Sequence, residues 1–278
     1  MTEAATADPP AAPAAASENV FEARDVVKSF GGINAVQGAT MSVKRGSITA
    51  LIGPNGAGKT TFFNLITGFY KLDSGTVTFE GEDIAGLPSY KIARRGMVRT
   101  FQITKALSRM PVIDNMLLAA PDQPGESLFS AVFRPLATRK REREVAEQAH
   151  ELLASFNLDK KADDYAGTLS GGQRKLLELA RALMAAPRFL LLDEPMAGIN
   201  PTLGARLLEH MERLRTEEGV TFLFVEHDMD VVMNHSDHVV VMAEGRVISE
   251  GSPDEVRADR KVVDAYLGGE VSEEEAGA

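Results

Sequence analysis

The 278-residue chain contains no cysteine. That excludes disulfides, thiol catalysis and thiolate metal sites, and it fits a reducing cytosol. Long apolar runs are also missing. Phe189-Leu190-Leu191-Leu192 is strand-sized and far short of a membrane helix. The expectation is a chain that is soluble, or held at a membrane through another protein. No secretory leader is expected, because the first basic residue is Arg24 and the early Ala run is broken by Pro9, Pro10 and Pro13. Positive charge is in deficit. The net charge is -10, and Glu3, Asp8, Glu18, Glu270, Glu273, Glu274 and Glu275 supply seven of those units from the two tails. The body is therefore only slightly acidic, which argues against a nucleic-acid partner. Residues 1–18, rich in Ala and Pro, and 268–278, rich in Gly and Glu, read as disordered tails. The five histidines show no metal-ligand spacing, and His235 and His238 read as a surface pair.

What is present is sharper. Gly53-Pro54-Asn55-Gly56-Ala57-Gly58-Lys59-Thr60 matches the phosphate-binding P-loop pattern. Its glycines let the backbone curl so that successive N–H groups face phosphate oxygens. Lys59 brings a positive charge to the β- and γ-phosphates, and the Thr60 hydroxyl is placed for Mg²⁺. Context supports the match. Ser47–Ile52 reads as a buried strand, and Thr61–Thr67 reads as a helix closed by Gly68. A strand, a glycine loop and a helix N-terminus make an anion site.

Residues 19–101 read as strand-rich and then α/β, including a strand at Val20–Val27, a second ending at Val43, Thr76–Phe79 and Gly96–Phe101. A turn is predicted at Glu80–Asp83. From about 104 to 168 the pattern becomes helical, with a charged helix over Arg139–Phe156. The α/β rhythm returns with helices to about 186 and over 202–217, and strands at Phe189–Leu192, Thr221–Val225, Val239–Met242 and Arg246–Ser249. The fold class predicted is α/β, a parallel-sheet core interrupted by a helical insertion.

Leu169-Ser170-Gly171-Gly172-Gln173 opens a helix whose apolar positions include Leu176, Leu179 and Leu183. Ser170 and Gln173 suit a capping box, but such a box needs no Gly-Gly, and two glycines suggest a close backbone approach. Phe189–Leu192 runs into Asp193 and Glu194. An acid at that strand end can hold Mg²⁺ through water, and its neighbour can deprotonate an attacking water. Gln102 and His227 follow two other strands, on the edge where ligands bind in such sheets. Phe30 reads more readily as a core aromatic than as an adenine platform. Arg139, Lys140, Arg141 and Arg143, interleaved with Glu142 and Glu144, read as a solvated helix face.

In this order the motifs resemble the nucleotide-binding domain of ABC-type ATPases, over residues 19–267. The resemblance implies a P-loop NTPase (RecA-like) core with an antiparallel β subdomain and an inserted α-helical subdomain. It implies ATP and Mg²⁺ as cofactors. Phe30 would stack on adenine, while Lys59, Thr60 and Thr61 would hold phosphates and Mg²⁺. Gln102 would sense metal and water and link to the membrane partner, and Asp193 would support Mg²⁺. Glu194 would be the catalytic carboxylate and His227 would contact the γ-phosphate. Ser170, Gly171, Gly172 and Gln173 would contact ATP held by a second ATPase subunit.

Phe30–Val36, Arg99–Gln102, Met110–Asn115 and Asp264–Gly268 look like ATPase subunits of branched-chain amino-acid importers, and the segment 121–143 resembles the longer insertion of that group. Urea importers share several of these features. Asn200 stands where most ABC ATPases have Asp, as it often does in the branched-chain group. The resemblance implies transmembrane permease subunits as partners and, indirectly, a periplasmic or extracellular substrate-binding protein. The place implied is peripheral, on the cytoplasmic face of the cell membrane. The alternatives are a urea or amide importer, a lipid exporter, and a soluble ABC ATPase. Long heptad arms of repair members and the doubled domain of translation members are both missing. A non-catalytic regulatory member would be expected to lack Lys59, Glu194 or His227.

Overall fold

The computed structural model describes residues 18–100, 107–121 and 135–266. Gln102, residues 1–17 and residues 267–278 lie outside the described residues. Two long strands open the fold. Strand β1 (Asn19–Phe30) and β2 (Ile33–Lys44) pair antiparallel around Gly31 and Gly32, both at positive φ, which a two-residue hairpin turn with the strands' natural twist requires. β4 (Ser74–Phe79) pairs with the other edge of β1, and β5 (Glu82–Asp83) completes a four-stranded antiparallel sheet. The expected turn at Glu80–Asp83 is therefore shorter, because Glu82 and Asp83 pair with Phe79 and Thr78.

The second sheet has six strands. β3 (Ile48–Ile52) lies between β8 (Thr221–Val225) and β9 (His238–Ala243), and the order continues through β7 (Phe189–Asp193) to β6 (Met97–Arg99). These five run parallel, and β10 (Arg246–Gly251) joins β9 antiparallel at the edge. β6 ends at Arg99, the Thr100 N–H still donates to the Leu191 carbonyl at 3.0 Å, and the expected strand end Phe101 lies outside the described residues. β3 and β8 are buried along their whole length, as apolar runs covered on both faces must be.

Successive residues of these strands feed different cores. Leu51, Leu191, Leu223 and Val240 join Phe62, Phe63 and Phe79 between the two sheets. Ala50, Leu190, Phe222 and Val239 point the other way, into a core shared with the helices. Full burial of one such phenylalanine contributes about 2–3 kcal/mol.

Helix α1 (Lys59–Ile66) follows β3, and α2 (Ser89–Arg94) precedes β6. The insertion carries α3 (Val112–Ala119) and α4 (Pro135–Ser155), and then α5 (Gly171–Leu183). Its neck is zipped. Val112, Ile113 and Ala166 N–H groups donate to the carbonyls of Asp164, Ala162 and Met110 at 2.8–2.9 Å. The cationic cluster on α4 is exposed or half-buried, with Lys140 and Arg141 facing Glu144 one turn on. The remaining helices are α6 (Pro201–Glu218), α7 (Met229–His235) and α8 (Pro253–Ala258), followed by a helical stretch at 260–266.

Candidate functional site

The P-loop leaves the C-terminal end of β3 and wraps over β9 and β2. Gly53 has φ 148°, and a Cβ there would meet the Met242 carbonyl oxygen at 2.0 Å. Gly58 has φ 95°, and its Cβ would meet the Ala35 carbonyl oxygen at 2.4 Å. Both positions need glycine for space as well as conformation. The loop is then braced from the distant hairpin, where the Gly245 N–H donates to the Ala57 carbonyl at 3.0 Å. Gly58 is the N-cap of α1, no side chain caps that terminus, and the first turn carries no acid. The helix therefore presents its positive end without internal compensation.

Lys59 is buried, and its Nζ donates to the carbonyls of Gly53 at 2.6 Å and Pro54 at 3.0 Å. Burial holds its pKa below the usual lysine value, while the Glu194 and Asp193 carboxylates pull it back up. Above the loop is a cavity of about 590 Å³ lined by Asn55–Thr61, by Ile33, Asn34, Ala35 and Gln37 of β2, and by Glu194, Val225, His227, Glu244 and Gly245. Across it, His227 Nε2 lies 3.0 Å from Glu194 Oε1. Glu194 takes a left-handed conformation, φ 48°, with its N–H donating to the Val225 carbonyl.

Asp193 faces a cation from its own chain. Arg99 Nη2 donates to its Oδ2 at 2.6 Å, and Arg99 Nη1 donates to Asn64 Oδ1. Phe30 is exposed, edge-on to Tyr70, with Lys28 over its ring. Its reading as a core aromatic is therefore corrected, because the hairpin turn carries it out beyond both cores. Among the described residues no group of histidines and acids forms a metal cluster. His235 is exposed on α7, and His238 lies 3.9 Å from Glu250.

Ser170–Gln173 do not line the P-loop cavity. They open α5 with a complete capping box: the Ser170 Oγ accepts from the Gln173 N–H, and the Gln173 side chain accepts from the Ser170 N–H. The two glycines differ. A Cβ on Gly172 would meet Leu203 Cδ2 at 2.2 Å, so packing within the chain accounts for it. A Cβ on Gly171 would meet nothing nearer than the Gly198 carbonyl at 3.7 Å, so nothing within the chain demands glycine there. Asn200 caps α6, accepting from the Leu203 N–H at 2.9 Å.

The family profile described as "ABC transporter" matches residues 36–197, and one described as "Branched-chain amino acid ATP-binding cassette transporter" matches residues 246–272. The chain belongs to the ABC transporter family. This cassette is 45% identical to the probable branched-chain amino acid transport ATP-binding protein LivG of Archaeoglobus fulgidus, over 93% of this chain and 99% of that protein. It is 42% identical to the high-affinity branched-chain amino acid transport ATP-binding protein BraF of Pseudomonas aeruginosa, covering 91% and 99%. A nucleotide-free ATP-binding cassette from an ABC transporter matches with TM-score 0.78 and 40% identity, over 89% of this chain and 98% of that one. A cassette in its ADP conformation matches with TM-score 0.78 and 39% identity, over 91% and 100%.

Three residues around the site of this ABC cassette escaped sequence reasoning. Arg99 sits in an ordinary strand, and only its pairing reveals it. Lys175 on α5 donates to the Glu194 carbonyl at 2.5 Å. Glu226 is buried between the Glu194 and His227 loops. A charge directly after the five-residue apolar strand Thr221–Val225 was the available signal for Glu226.

Proposed function

We propose that this chain is the ATP-hydrolysing subunit of an importer of branched-chain amino acids and acts with Mg²⁺. The carrying observation is the Glu194–His227 pair facing Lys59 across the P-loop cavity. The uncapped end of α1 and the buried Lys59 fit a polyphosphate. Thr60, Asp193 and Gln102 offer the hard oxygen donors that suit Mg²⁺. The metal, when bound, neutralises charge on the phosphate oxygens. Lys59 orients the phosphates. Glu194 takes a proton from the attacking water, and His227 holds that carboxylate in place and reaches the γ-phosphate. Phe30, exposed beside the cavity wall, offers a face to adenine.

Ser170, Gly171, Gly172 and Gln173 serve the nucleotide of a second ATPase subunit, identical or related. The openness around Gly171 supports this reading. Among the described residues no helix is long and apolar enough to cross a membrane. The likeness to transport ATP-binding proteins supports work through permease subunits, with this chain peripheral on their cytoplasmic side and a substrate-binding protein delivering cargo from outside. The substrate class rests on the likeness to LivG and BraF. Deleting this chain should reduce uptake of leucine, isoleucine and valine in cells expressing no redundant importer. Unchanged uptake would overturn the substrate and leave the ATPase reading standing.

A further inference from the structure

Glu226 is 4% exposed, the final residue before His227, and no part of the P-loop cavity wall. Its two oxygens are divided between two loops. Oε1 accepts from the Met196 N–H at 2.6 Å, two residues beyond Glu194, and Oε2 accepts from the His227 N–H at 3.2 Å. A buried carboxylate carries a large desolvation cost and is tolerated where specific donors satisfy it. Burial pushes its pKa up, and the two N–H groups oppose that shift. Both acceptors face backbone, leaving this group to fix geometry and not to exchange protons with a substrate.

The loops it joins also meet directly through His227 Nε2 and Glu194 Oε1, 3.0 Å apart, while Glu226 ties their backbones through the Met196 and His227 N–H groups. Glu194 is held through its N–H to Val225 and its carbonyl to Lys175, in a left-handed conformation that a non-glycine residue adopts only when its surroundings enforce it. Resting on the reading of Glu194 and His227 given above, we propose that Glu226 is a positioning residue that locks the Glu194 and His227 loops into one rigid unit. Glutamine has nearly the same shape, but one of its two ends is a donor and cannot accept from a second N–H. Glu226→Gln should therefore release one loop. A displacement of about 1 Å at a catalytic group can lower turnover by about a hundredfold.

The test is steady-state ATPase and ATP affinity of the full chain, with Glu226→Gln, Glu226→Asp, His227→Ala and the Glu226→Gln/His227→Ala pair. Expected is a fall in kcat of at least about tenfold for Glu226→Gln, with KM for ATP within about twofold of the parent. Glu226→Asp, which keeps two acceptors on a shorter arm, should recover part of that loss and serves if the glutamine variant does not fold. In the His227→Ala background, Glu226→Gln should cost less than about twofold more, because the two act as a unit. A kcat within about twofold of the parent for both Glu226 variants would overturn the proposal, as would additive losses in the pair. Glu194→Gln is measured beside them. If it hydrolyses ATP normally, the underlying reading of the site fails, whereas a dead Glu194→Gln with active Glu226 variants sinks this inference alone.

Discussion

Arg99 holds Asp193 with a 2.6 Å charge-assisted hydrogen bond, and both side chains are about nine-tenths buried. The carboxylate proposed for Mg²⁺ thus has a protein cation as its partner in this structure. Arg99→Ala strands that carboxylate. Breaking a buried pair costs about 3–5 kcal/mol, so chemical denaturation of the nucleotide-free chain should show a loss of that order. Mg²⁺-ATP should restore more stability to the variant than to the parent, because the metal then meets the uncompensated charge.

Lys59 is satisfied by its own loop while its charge is disfavoured by burial. Lys59→Ala should abolish hydrolysis and strongly weaken ATP binding. A thermal melt checks the binding half: ATP at a hundred times the parent's Kd stabilises the parent by about 2.7 kcal/mol and should leave the variant's midpoint unmoved.

Glycine at 171 and at 172 should fail differently. Gly172→Ala drives a methyl into Leu203 and should cost about 1–3 kcal/mol of stability in the isolated chain. Gly171→Ala meets open space and should change stability by less than about 0.5 kcal/mol. If it still lowers hydrolysis at concentrations where subunits associate, the residue serves the opposing subunit. Full activity for Gly171→Ala would count against that role.

His210 packs on the Phe156 ring with centroids 4.3 Å apart. Burial first, and then the neighbouring Arg213, hold its pKa below the usual 6.5. The unfolded chain then binds the proton more readily than the folded one. His210 contributes stability above pH 6.5 that is lost as pH falls through its lower folded value. His210→Gln should flatten the decline of stability on that acid side, as read from denaturation midpoints at stepped pH.

The strands were legible where apolar runs were uninterrupted. Leu190, Phe222 and Val240 are buried on both faces of a parallel sheet, so their sequence needed no alternation to be read. Glu194 stood out because it closes such a run, Lys59 because it completes the P-loop pattern, and His227 only through the family resemblance. Phe30 was misread because a local pattern cannot tell a strand end in the core from one projecting past it. Arg99 was silent for a related reason, and Glu226 offered only a charge at the end of an apolar strand. Their roles are pairings with residues 94 and 30 positions away, and only the fold supplies the partner. The split role of the two glycines likewise needed the position of Leu203.

The seat of the P-loop is assembled late in the life of the chain. β3 pairs only with β8 and β9, Gly53 rests against the Met242 carbonyl, and Ala57 is gripped by Gly245. A ribosome that has made the first 200 residues has produced the whole octapeptide and the β2 contact at Ala35, but neither strand that pairs with β3 nor the Met242 and Gly245 contacts. Nucleotide therefore has no nascent site to stabilise, and abortive fragments lacking the last third of the chain should not compete for cellular ATP. Pairings this distant in sequence also slow folding. The apolar strand β3 must wait, unpartnered, for about ten seconds or more of further synthesis at about 5–20 residues per second. That interval, and not the finished cassette, is where this protein should depend most on chaperones.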